Sequence, residues 1–307
     1  TLKLHLKTFD WFKKTQIDAL SKYIARHYAG GLSNLSEQMN KYCARFDQQA
    51  PELLKNTAVL SNSTLGSEAA WLHHHLRKKN IPLFGFEHGV TTGLSKHSES
   101  KLAFSEMTSC DEAFVYSENA KASFSSHPNT KAQIHVVGGP SSTKKMRLAT
   151  LQKYLVRNAI KTPSKHPTLM HVDTLSFQGN LRAGPYAYTE SQVIAFHRQI
   201  LREVYQPLVS WSVLFKEYPT QRFIFEPRVS DYSGNNDRIQ YLSQEDFRYI
   251  RAAADVLVTT MPSSTIGWCI GADVPLIWLE SPVTPLLTKQ ALESFKEAFF
   301  VINMNDS

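Results

Sequence analysis

One polar loop of the sequence places a carboxylate beside a histidine. Glu87, His88 and Gly89 directly follow a short apolar run. His88 could bind an anion or act as an acid or base near neutral pH, and Glu87 could act as a base, a nucleophile or the orienting partner of His88. The alternative is that His88 only bonds the backbone of its own loop. We predict a catalytic role for both residues, because the loop is polar and its glycines let the backbone approach a ligand.

A run of three hydroxyl residues is the most specific local pattern. Ser263, Ser264 and Thr265 stand between a strand-like apolar run and a helical pattern. Hydroxyl side chains and the free N–H groups at the start of a helix together suit an anion. Ordinary capping of the helix is the alternative, but it needs only one hydroxyl. We therefore predict an anion site here.

A lysine ends another apolar run of the sequence. Lys216 is placed to neutralise a phosphate or a carboxylate, and Pro219 fixes the turn that follows it. The alternative for Lys216 is a solvated pair with Glu217. Arg238 could face the same anion or form an ion pair with Asp237.

Weaker candidates also follow predicted strands. Gly138 and Gly139 could present backbone N–H groups to a phosphate, although a tight turn explains them equally well. Glu280 could contact a ribose hydroxyl or be a surface carboxylate. Asp173 and Asp231 are candidate catalytic carboxylates, and both are also common turn residues.

No residues are spaced as metal ligands. His73, His74 and His75 are consecutive in a predicted helix, where successive side chains point about 100° apart and cannot share one ion. The three cysteines lie far apart, which predicts reduced, buried thiols. The sequence contains no P-loop, Gly-x-Gly-x-x-Gly, Gly-x-Ser-x-Gly or HExxH motif. We expect no metal and no required cofactor.

The candidate residues follow strands of two predicted α/β units. Short, continuous apolar runs alternate with helical patterns over about residues 57–137 and again over 168–279. Such runs are typical of parallel sheets covered on both faces, and open sheets bind ligands at the carboxyl ends of their strands. We predict two Rossmann-like domains that face a cleft, residues 1–150 and 151–307. In residues 1–56 we predict helices that are interrupted at Gly30-Gly31.

The composition favours anionic partners. The chain has 307 residues, is 42% hydrophobic and carries a formal charge of +7. This charge suits nucleotide phosphates, acidic glycans, anionic lipid surfaces or nucleic acid. However, the basic clusters at 77–79 and 144–147 are short and not interleaved with aromatic residues, so we expect no specific nucleic-acid site.

The sequence also bears on location. No apolar run approaches the roughly 20 residues that a membrane span needs, and no secretory signal opens the chain. Because Thr1 is not Met and leads directly into a helical pattern, we expect a fragment that lacks N-terminal sequence. We predict a cytoplasmic protein that contacts the anionic inner face of the cytoplasmic membrane.

The order of these motifs resembles the glycosyltransferase-B (GT-B) enzymes, over about residues 57–285. The family pattern has a strand-end (Gln/Glu)-His-Gly, an Asp-led strand, Gly-Gly-Pro, Lys-x-(His/Tyr)-Pro and Ser-Ser-Thr-x-Gly. The matching segments here are 87–89, 111–117, 138–140, 216–219 and 263–267. The chain is most similar to bacterial capsule and O-antigen transferases, including the Kdo (ulosonic acid) transferases that use CMP-activated donors. It departs from the commoner pattern at Glu87, where Gln is usual, and at Tyr218, where His is usual.

The resemblance implies a reaction and partners. A sugar would pass from a nucleotide-sugar donor, with CMP favoured, to a glycan or lipid-linked glycan acceptor. Lys216 and residues 263–265 would hold the donor phosphate or nucleotide, while Glu87 and His88 would face the reacting sugar. The alternatives are a nucleotide-sugar epimerase, a polyol-phosphate transferase and a non-enzymatic scaffold that binds polyanions.

Overall fold

The computed structural model of the chain describes most of both predicted units. The described residues are 14–49, 57–62, 67–95, 107, 110–128, 130–139, 149–162, 166–173, 190–217, 229–230, 239–281, 283 and 287–304. They form two separate parallel sheets preceded by a long helix. The predicted fold class, two parallel α/β units with a helical N-terminal segment, is confirmed.

The N-terminal helix is longer than the sequence pattern indicates. Helix α1 spans Lys14–Gln49 without a break. The interruption predicted at Gly30 and Gly31 is therefore wrong. A glycine costs a helix only about 1 kcal/mol relative to alanine, so the turns on either side carry the helix through the pair.

The first sheet has four strands in sequence order, all parallel. Its strands are β1 Val59–Ser61, β2 Leu83–Phe86, β3 Glu112–Val115 and β4 Gln133–Val136. Helix α2, Ser67–Arg77, precedes β2, and helix α3, Glu118–Ser125, follows β3. Ser117 caps α3, since its hydroxyl accepts a 3.1 Å hydrogen bond from the Ala120 amide.

Asp111, which leads into β3, ties three elements of this unit together. Its carboxylate accepts a 2.8 Å bond from the Leu83 amide of β2 and a 2.7 Å bond from Arg77 at the end of α2. The Asp-led strand of the sequence pattern therefore has a structural cause, because Asp111 satisfies a backbone donor at the start of the neighbouring strand.

The second sheet has six strands in the order β10-β9-β8-β5-β6-β7, again all parallel. Its strands are β5 Thr168–Val172, β6 Ser212–Lys216, β7 Ile239–Leu242, β8 Val256–Thr259, β9 Leu276–Glu280 and β10 Phe300–Asn303. The sequence pattern does not predict β7 and β10, which are the two edge strands. Strand β7 lacks a continuous apolar run, whereas β10 lies in the apolar run 298–302 but is mostly exposed.

Helices cover both faces of the second sheet. Two successive residues of β5, Leu169 and Met170, belong to two different apolar clusters, one on each face of the sheet. The helices are α4 Ala149–Ala159, α5 Glu190–Gln199 with its π-helical continuation Ile200–Tyr205, α6 Phe247–Ile250 with a 3-10 turn Arg251–Ala253, α7 Thr265–Ile270 and α8 Lys289–Ala298. Within the described ranges, no helix is long and apolar enough to cross a membrane.

Asp255 fastens α4 to the second sheet. Its carboxylate pairs with Lys153 and Arg157 of α4 and accepts a 2.7 Å bond from the Thr168 amide at the start of β5. Arg157 also donates to the Ala253 carbonyl at 2.9 Å. Helix α4 therefore packs with the second sheet, while the domain division at residue 150 stays a prediction.

Replacing Asp255 by Asn should lower the free energy of unfolding by about 2 kcal/mol near neutral pH. Burial acts to raise the pKa of Asp255, but the bonds from Lys153, Thr168 and Arg157 outweigh it and lower the pKa. A carboxyl whose folded pKa is lowered stabilises the fold above its unfolded pKa of about 3.9, and this stabilisation fades as the pH falls through the folded value. Urea unfolding at several pH values should therefore show the largest difference between wild type and Asp255→Asn near pH 7.

Glu293→Gln is the matched control, because Glu293 forms an exposed pair with Lys296. Such a pair is worth at most about 1 kcal/mol. Equal losses of unfolding free energy in the two variants would mean that the bonds of Asp255 do not hold α4 against the second sheet.

Candidate functional site

Glu87 is buried at the carboxyl end of the first sheet. Its amide extends the strand ladder by donating to the Phe114 carbonyl at 3.0 Å. The side chain is 3% exposed, and its Oε2 accepts a 2.8 Å hydrogen bond from the Tyr116 amide. Burial raises the pKa of Glu87, and the opposing contributions of Tyr116 and Thr92 are smaller. His88, the other half of the predicted pair, is exposed.

The loop that Glu87 begins packs against helix α7 of the second unit through two glycines. A Cβ on Gly89 would lie 2.8 Å from the Cβ of Ser264. A Cβ on Gly267 would lie 2.5 Å from Cγ2 of Val90. Both distances are too short for real atoms, so the two segments reach this separation only because neither glycine has a side chain. Two motifs that the sequence analysis treated as separate ligand loops are thus in direct contact.

The same loop is also bonded to the start of helix α8. The Thr288 amide donates to the Leu94 carbonyl at 2.9 Å, and the Thr288 hydroxyl donates to the Gly93 carbonyl at 2.9 Å. Ser95 and Leu287 form an isolated antiparallel bridge. Residues 87–95 therefore join the carboxyl end of the first sheet to two helix starts of the second.

A cavity of about 540 Å³ lies beside this junction. One wall comes from the first unit and includes Glu87, Tyr116 and Gly139. The other wall comes from α8 and includes Gln290 and Ser294. The cavity therefore depends on both units.

Gly138 and Gly139, predicted to cradle a phosphate, lie in the exposed turn after β4. Gly138 has a φ of +77°, a conformation that glycine adopts without strain, and Gly139 lines the cavity. Both glycines have open space around them, since a Cβ built on either meets no atom within 4 Å among the described residues. A turn conformation accounts for Gly138, and a ligand role for the pair stays a prediction.

Lys216 is buried at the carboxyl end of β6. It is 2% exposed, and its Nζ donates to the Glu217 carbonyl. Burial lowers the pKa of Lys216, while the negative charges of Glu245, Glu217, Asp173 and Asp246 act in the opposite direction. The solvated Lys216–Glu217 pair, the alternative left open above, does not occur, because both residues are 2% exposed.

Asp173 belongs to a buried polar cluster behind this edge. Its amide donates to the Lys216 carbonyl at 2.9 Å, so the two residues sit side by side on neighbouring strands. Its carboxylate lies 3.3 Å from Nε2 of His197 on α5, and both side chains are fully buried. The sequence also allowed Asp173 to be a simple turn residue, which would be exposed to solvent. Because Asp173 is buried, this alternative does not apply.

His171 and Tyr205 complete the buried polar cluster. Nδ1 of His171 lies 2.6 Å from the Tyr205 hydroxyl, and the imidazole stacks on Phe215 with ring centroids 4.6 Å apart. The sequence analysis missed His171, His197 and Tyr205. A histidine inside the otherwise apolar strand β5 was the available signal. On a strand that is buried on both faces, a polar side chain needs a hydrogen-bond partner in the protein interior.

The three hydroxyl residues lie where β8 leads into α7. The Ser263 hydroxyl is buried and has no hydrogen-bond partner among the described residues, and the exposed Ser264 makes no side-chain cap. Thr265 is half-buried. Simple capping therefore does not account for Ser263 and Ser264. Binding of an anion by the three residues stays a prediction.

The topology brings part of the predicted set to one sheet edge. Val172 is in register with both Lys216 and Thr259, so Asp173 and the residues after β6 and β8 share the carboxyl edge. The chain reverses its strand order between β5 and β8, which is where open sheets bind ligands. Glu280 is half-buried at the same edge but two strands away from β5. Pro219, Arg238 and Asp231 lie outside the described residues.

No protein-family model and no curated protein sequence matches the chain. Solved structures to which it is similar include the apo structure of OtsA, at 12% identity and a TM-score of 0.45, with 87% of this chain and 66% of that chain covered. Another is the wall teichoic acid polymerase TagF, at 13% identity, a TM-score of 0.42 and coverage of 78% and 66%. A third is the UDP-GlcNAc 2-epimerase from Methanocaldococcus jannaschii, at 13% identity and a TM-score of 0.48, with 87% of this chain and 72% of that chain covered. The chain spans just under two thirds of the OtsA and TagF structures, and identities this low carry no information on ligand or reaction.

The close contact at Gly267 can be tested with a double-mutant cycle. Gly267→Ala should lower the free energy of unfolding by about 1–3 kcal/mol, because the new methyl group overlaps Val90. Val90→Ala removes that overlap, so Gly267→Ala should cost clearly less in the Val90→Ala background. Urea unfolding of the four proteins measures the coupling. Strictly additive losses would contradict the contact, and Gly31→Ala, in open space on α1, serves as the control for a glycine change.

Buried His171 should make stability depend on pH. Burial lowers the pKa of His171 from 6.5 to about 3, with Asp173 acting to raise it and His197 to lower it further. Because the unfolded chain takes up a proton that the folded chain excludes, the free energy of unfolding should fall by up to about 1.4 kcal/mol per pH unit below pH 6.5. His171→Phe should remove this component between about pH 6.5 and 4.5 in urea titrations. If the free energy of unfolding varies with pH as steeply in His171→Phe as in wild type, the assignment is contradicted.

Proposed function

We propose that this chain carries the catalytic region of a glycosyltransferase that moves a sugar from a nucleotide-activated donor to a glycan acceptor. The contact between residues 87–95 and helix α7 is the observation that carries the proposal. Through it, loops from the carboxyl ends of two parallel sheets meet, and such ends are where open sheets bind ligands. This arrangement suits a reaction between two substrates, because each sheet can hold one of them.

The donor would lie on the second unit, at the edge formed by Lys216, Asp173 and Ser263. An ammonium group has three donors, and among the described residues Lys216 uses one of them on the Glu217 carbonyl. A buried lysine whose pKa is lowered by burial gains most from an anion that restores its charge. The Ser263 hydroxyl, buried without a partner among the described residues, would supply a further hydrogen bond to the phosphate.

The remaining predicted ligand residues complete this donor proposal. Arg238 would add a second cation and Pro219 would hold the turn after Lys216. Glu280 would contact a ribose hydroxyl. The role of Pro219 follows from the order of the motifs, and those of Arg238 and Glu280 follow from their charge and their positions along the chain.

The chemical step would take place where the two units meet. As a base, Glu87 would take the proton of the acceptor hydroxyl while that oxygen bonds to the anomeric carbon and the bond from this carbon to the phosphate oxygen breaks. Lys216 and the hydroxyls would stabilise the charge that develops on the leaving phosphate. The raised pKa of Glu87 suits this role, because a base works best with a pKa near the operating pH. His88, exposed beside it, would contact the reacting sugar, and Asp173 would support the site as a second carboxylate.

We further propose a CMP-activated ulosonic acid such as Kdo as the donor sugar, a role that the motif order supports. The acceptor would be a bacterial surface glycan or its lipid-linked precursor. The net charge of +7 supports peripheral contact with the anionic inner face of the cytoplasmic membrane.

A nucleotide panel tests the donor site. Thermal unfolding with CMP, CDP, UDP and GDP should show stabilisation by at least one nucleotide, with CMP expected to be strongest, and binding at 100 times Kd adds about 2.7 kcal/mol. Lys216→Met and Ser263→Ala should each reduce the nucleotide-induced shift, because each removes a donor to the phosphate. Lys22→Met, at an exposed position of α1, should not.

Two outcomes would contradict this donor site. One is the absence of any nucleotide-induced shift in wild type, and the other is an unchanged shift in Lys216→Met. Product analysis with the donor sugar alone provides the second control, because an epimerase would convert it without an acceptor while a transferase would not.

A further inference from the structure

The cavity between the two units has an unusual distribution of charge for so basic a chain. Its polar lining includes Tyr116, Ser117, Asn119, Thr288, Gln290 and Ser294, all of them uncharged. Among the described residues, Glu87 is the one charged side chain in the lining, and no lysine or arginine contributes. The described part of the lining therefore carries no positive charge, although the chain as a whole has a net charge of +7.

The buried carboxylate of Glu87 decides which chemical groups can enter. Its side chain is 3% exposed, the Tyr116 amide holds one oxygen, and hydrogen bonding by Thr92 also stabilises the carboxylate. A phosphate or carboxylate placed beside it would meet a like charge in a poorly solvated place, which costs several kcal/mol. A hydroxyl can instead donate a hydrogen bond to it.

The rest of the lining suits the two kinds of surface that a sugar presents. Hydroxyl and amide side chains can both donate and accept hydrogen bonds, so they can bind a ligand hydroxyl whether it donates or accepts. Val90, Leu94 and Phe295 add apolar surface for the C–H face of a ring. The volume of about 540 Å³ lies within the range of roughly 300–1,000 Å³ that is usual for small-molecule sites.

We infer that this cavity binds an uncharged, hydroxyl-rich unit, a neutral sugar or polyol, with Glu87 accepting a hydrogen bond from one of its hydroxyls. In terms of the reaction, this unit is the acceptor, and that identification rests on the proposed function. The acceptor would thus present a neutral unit at the cavity, while any anionic group that it carries lies outside.

Direct binding measurements test the inference with paired probes. Saturation-transfer NMR titrations with methyl glucoside, methyl galactoside and sorbitol should show binding to wild type in the millimolar range. Glucuronate and glucose 6-phosphate should bind at least about tenfold more weakly. Glu87→Gln removes the negative charge but keeps an acceptor for the Tyr116 amide. This variant should therefore reduce the difference in affinity between the neutral and the charged probes.

Two variants locate the binding. Ser294→Trp and Gln290→Trp place a large ring in the cavity from exposed positions of α8, so the fold should tolerate them and neutral probes should no longer bind. Lys296→Trp, exposed on the same helix but outside the lining, should leave binding unchanged.

Three results would overturn the inference. They are the absence of binding by any neutral probe up to about 50 mM, charged probes that bind as tightly as neutral ones, and binding that survives both tryptophan variants. The nucleotide panel separates this inference from the proposed function, because the tryptophan variants should keep the wild-type nucleotide shift. Neutral probes that bind in a protein without any nucleotide shift would leave the cavity site standing and remove the donor site.

Discussion

The structure depends on two glycines whose backbones lie directly against side chains of the opposite unit. Gly89 lies against Ser264, and Gly267 lies against Val90, at separations that any Cβ would prevent. The two units approach here more closely than ordinary side-chain packing allows. This contact sets the distance between the carboxyl ends of two sheets, and therefore the width of the space in which any ligand must lie.

The bonds from Thr288 to the carbonyls of Gly93 and Leu94 extend the same junction to α8. Backbone carbonyls in a loop need partners, and here a helix start of the other unit supplies them. The cavity is bounded by the two sides of this junction, so its shape reflects how the units meet. A change in the junction would alter the cavity even if no lining residue were replaced.

The two sides of the junction differ in their electrostatics. The second unit buries a lysine, two carboxylates and two histidines close together, an arrangement that costs desolvation energy and that stability alone does not explain. As far as the structure describes its lining, the cavity on the other side has one buried carboxylate among neutral groups. A charged ligand on the sheet edge and a neutral one in the cavity are consistent with this division of charge.

Much of the architecture follows from the sequence itself. Continuous apolar runs such as 168–172 and 212–216 predict strands buried on both faces, and the structure has them as β5 and β6 of a parallel sheet. The Ser117 cap is equally local, because it depends on residues three positions apart. The local patterns of strand β7 and of the unbroken helix α1 are weak, and the apolar run at β10 does not by itself distinguish a strand from a helix. Packing of the whole domain stabilises these elements.

The environment of each candidate residue was decided only by the tertiary structure. The sequence alone determined that Glu87, Asp173 and Lys216 follow strands, and so lie at the carboxyl edges of the sheets. It could not determine that Asp173 is buried against His197, that Gly267 makes room for Val90, or that α8 completes a cavity with Glu87. The physical reason is that periodicity reports how one segment is buried, whereas the partners of a side chain come from segments far away along the chain.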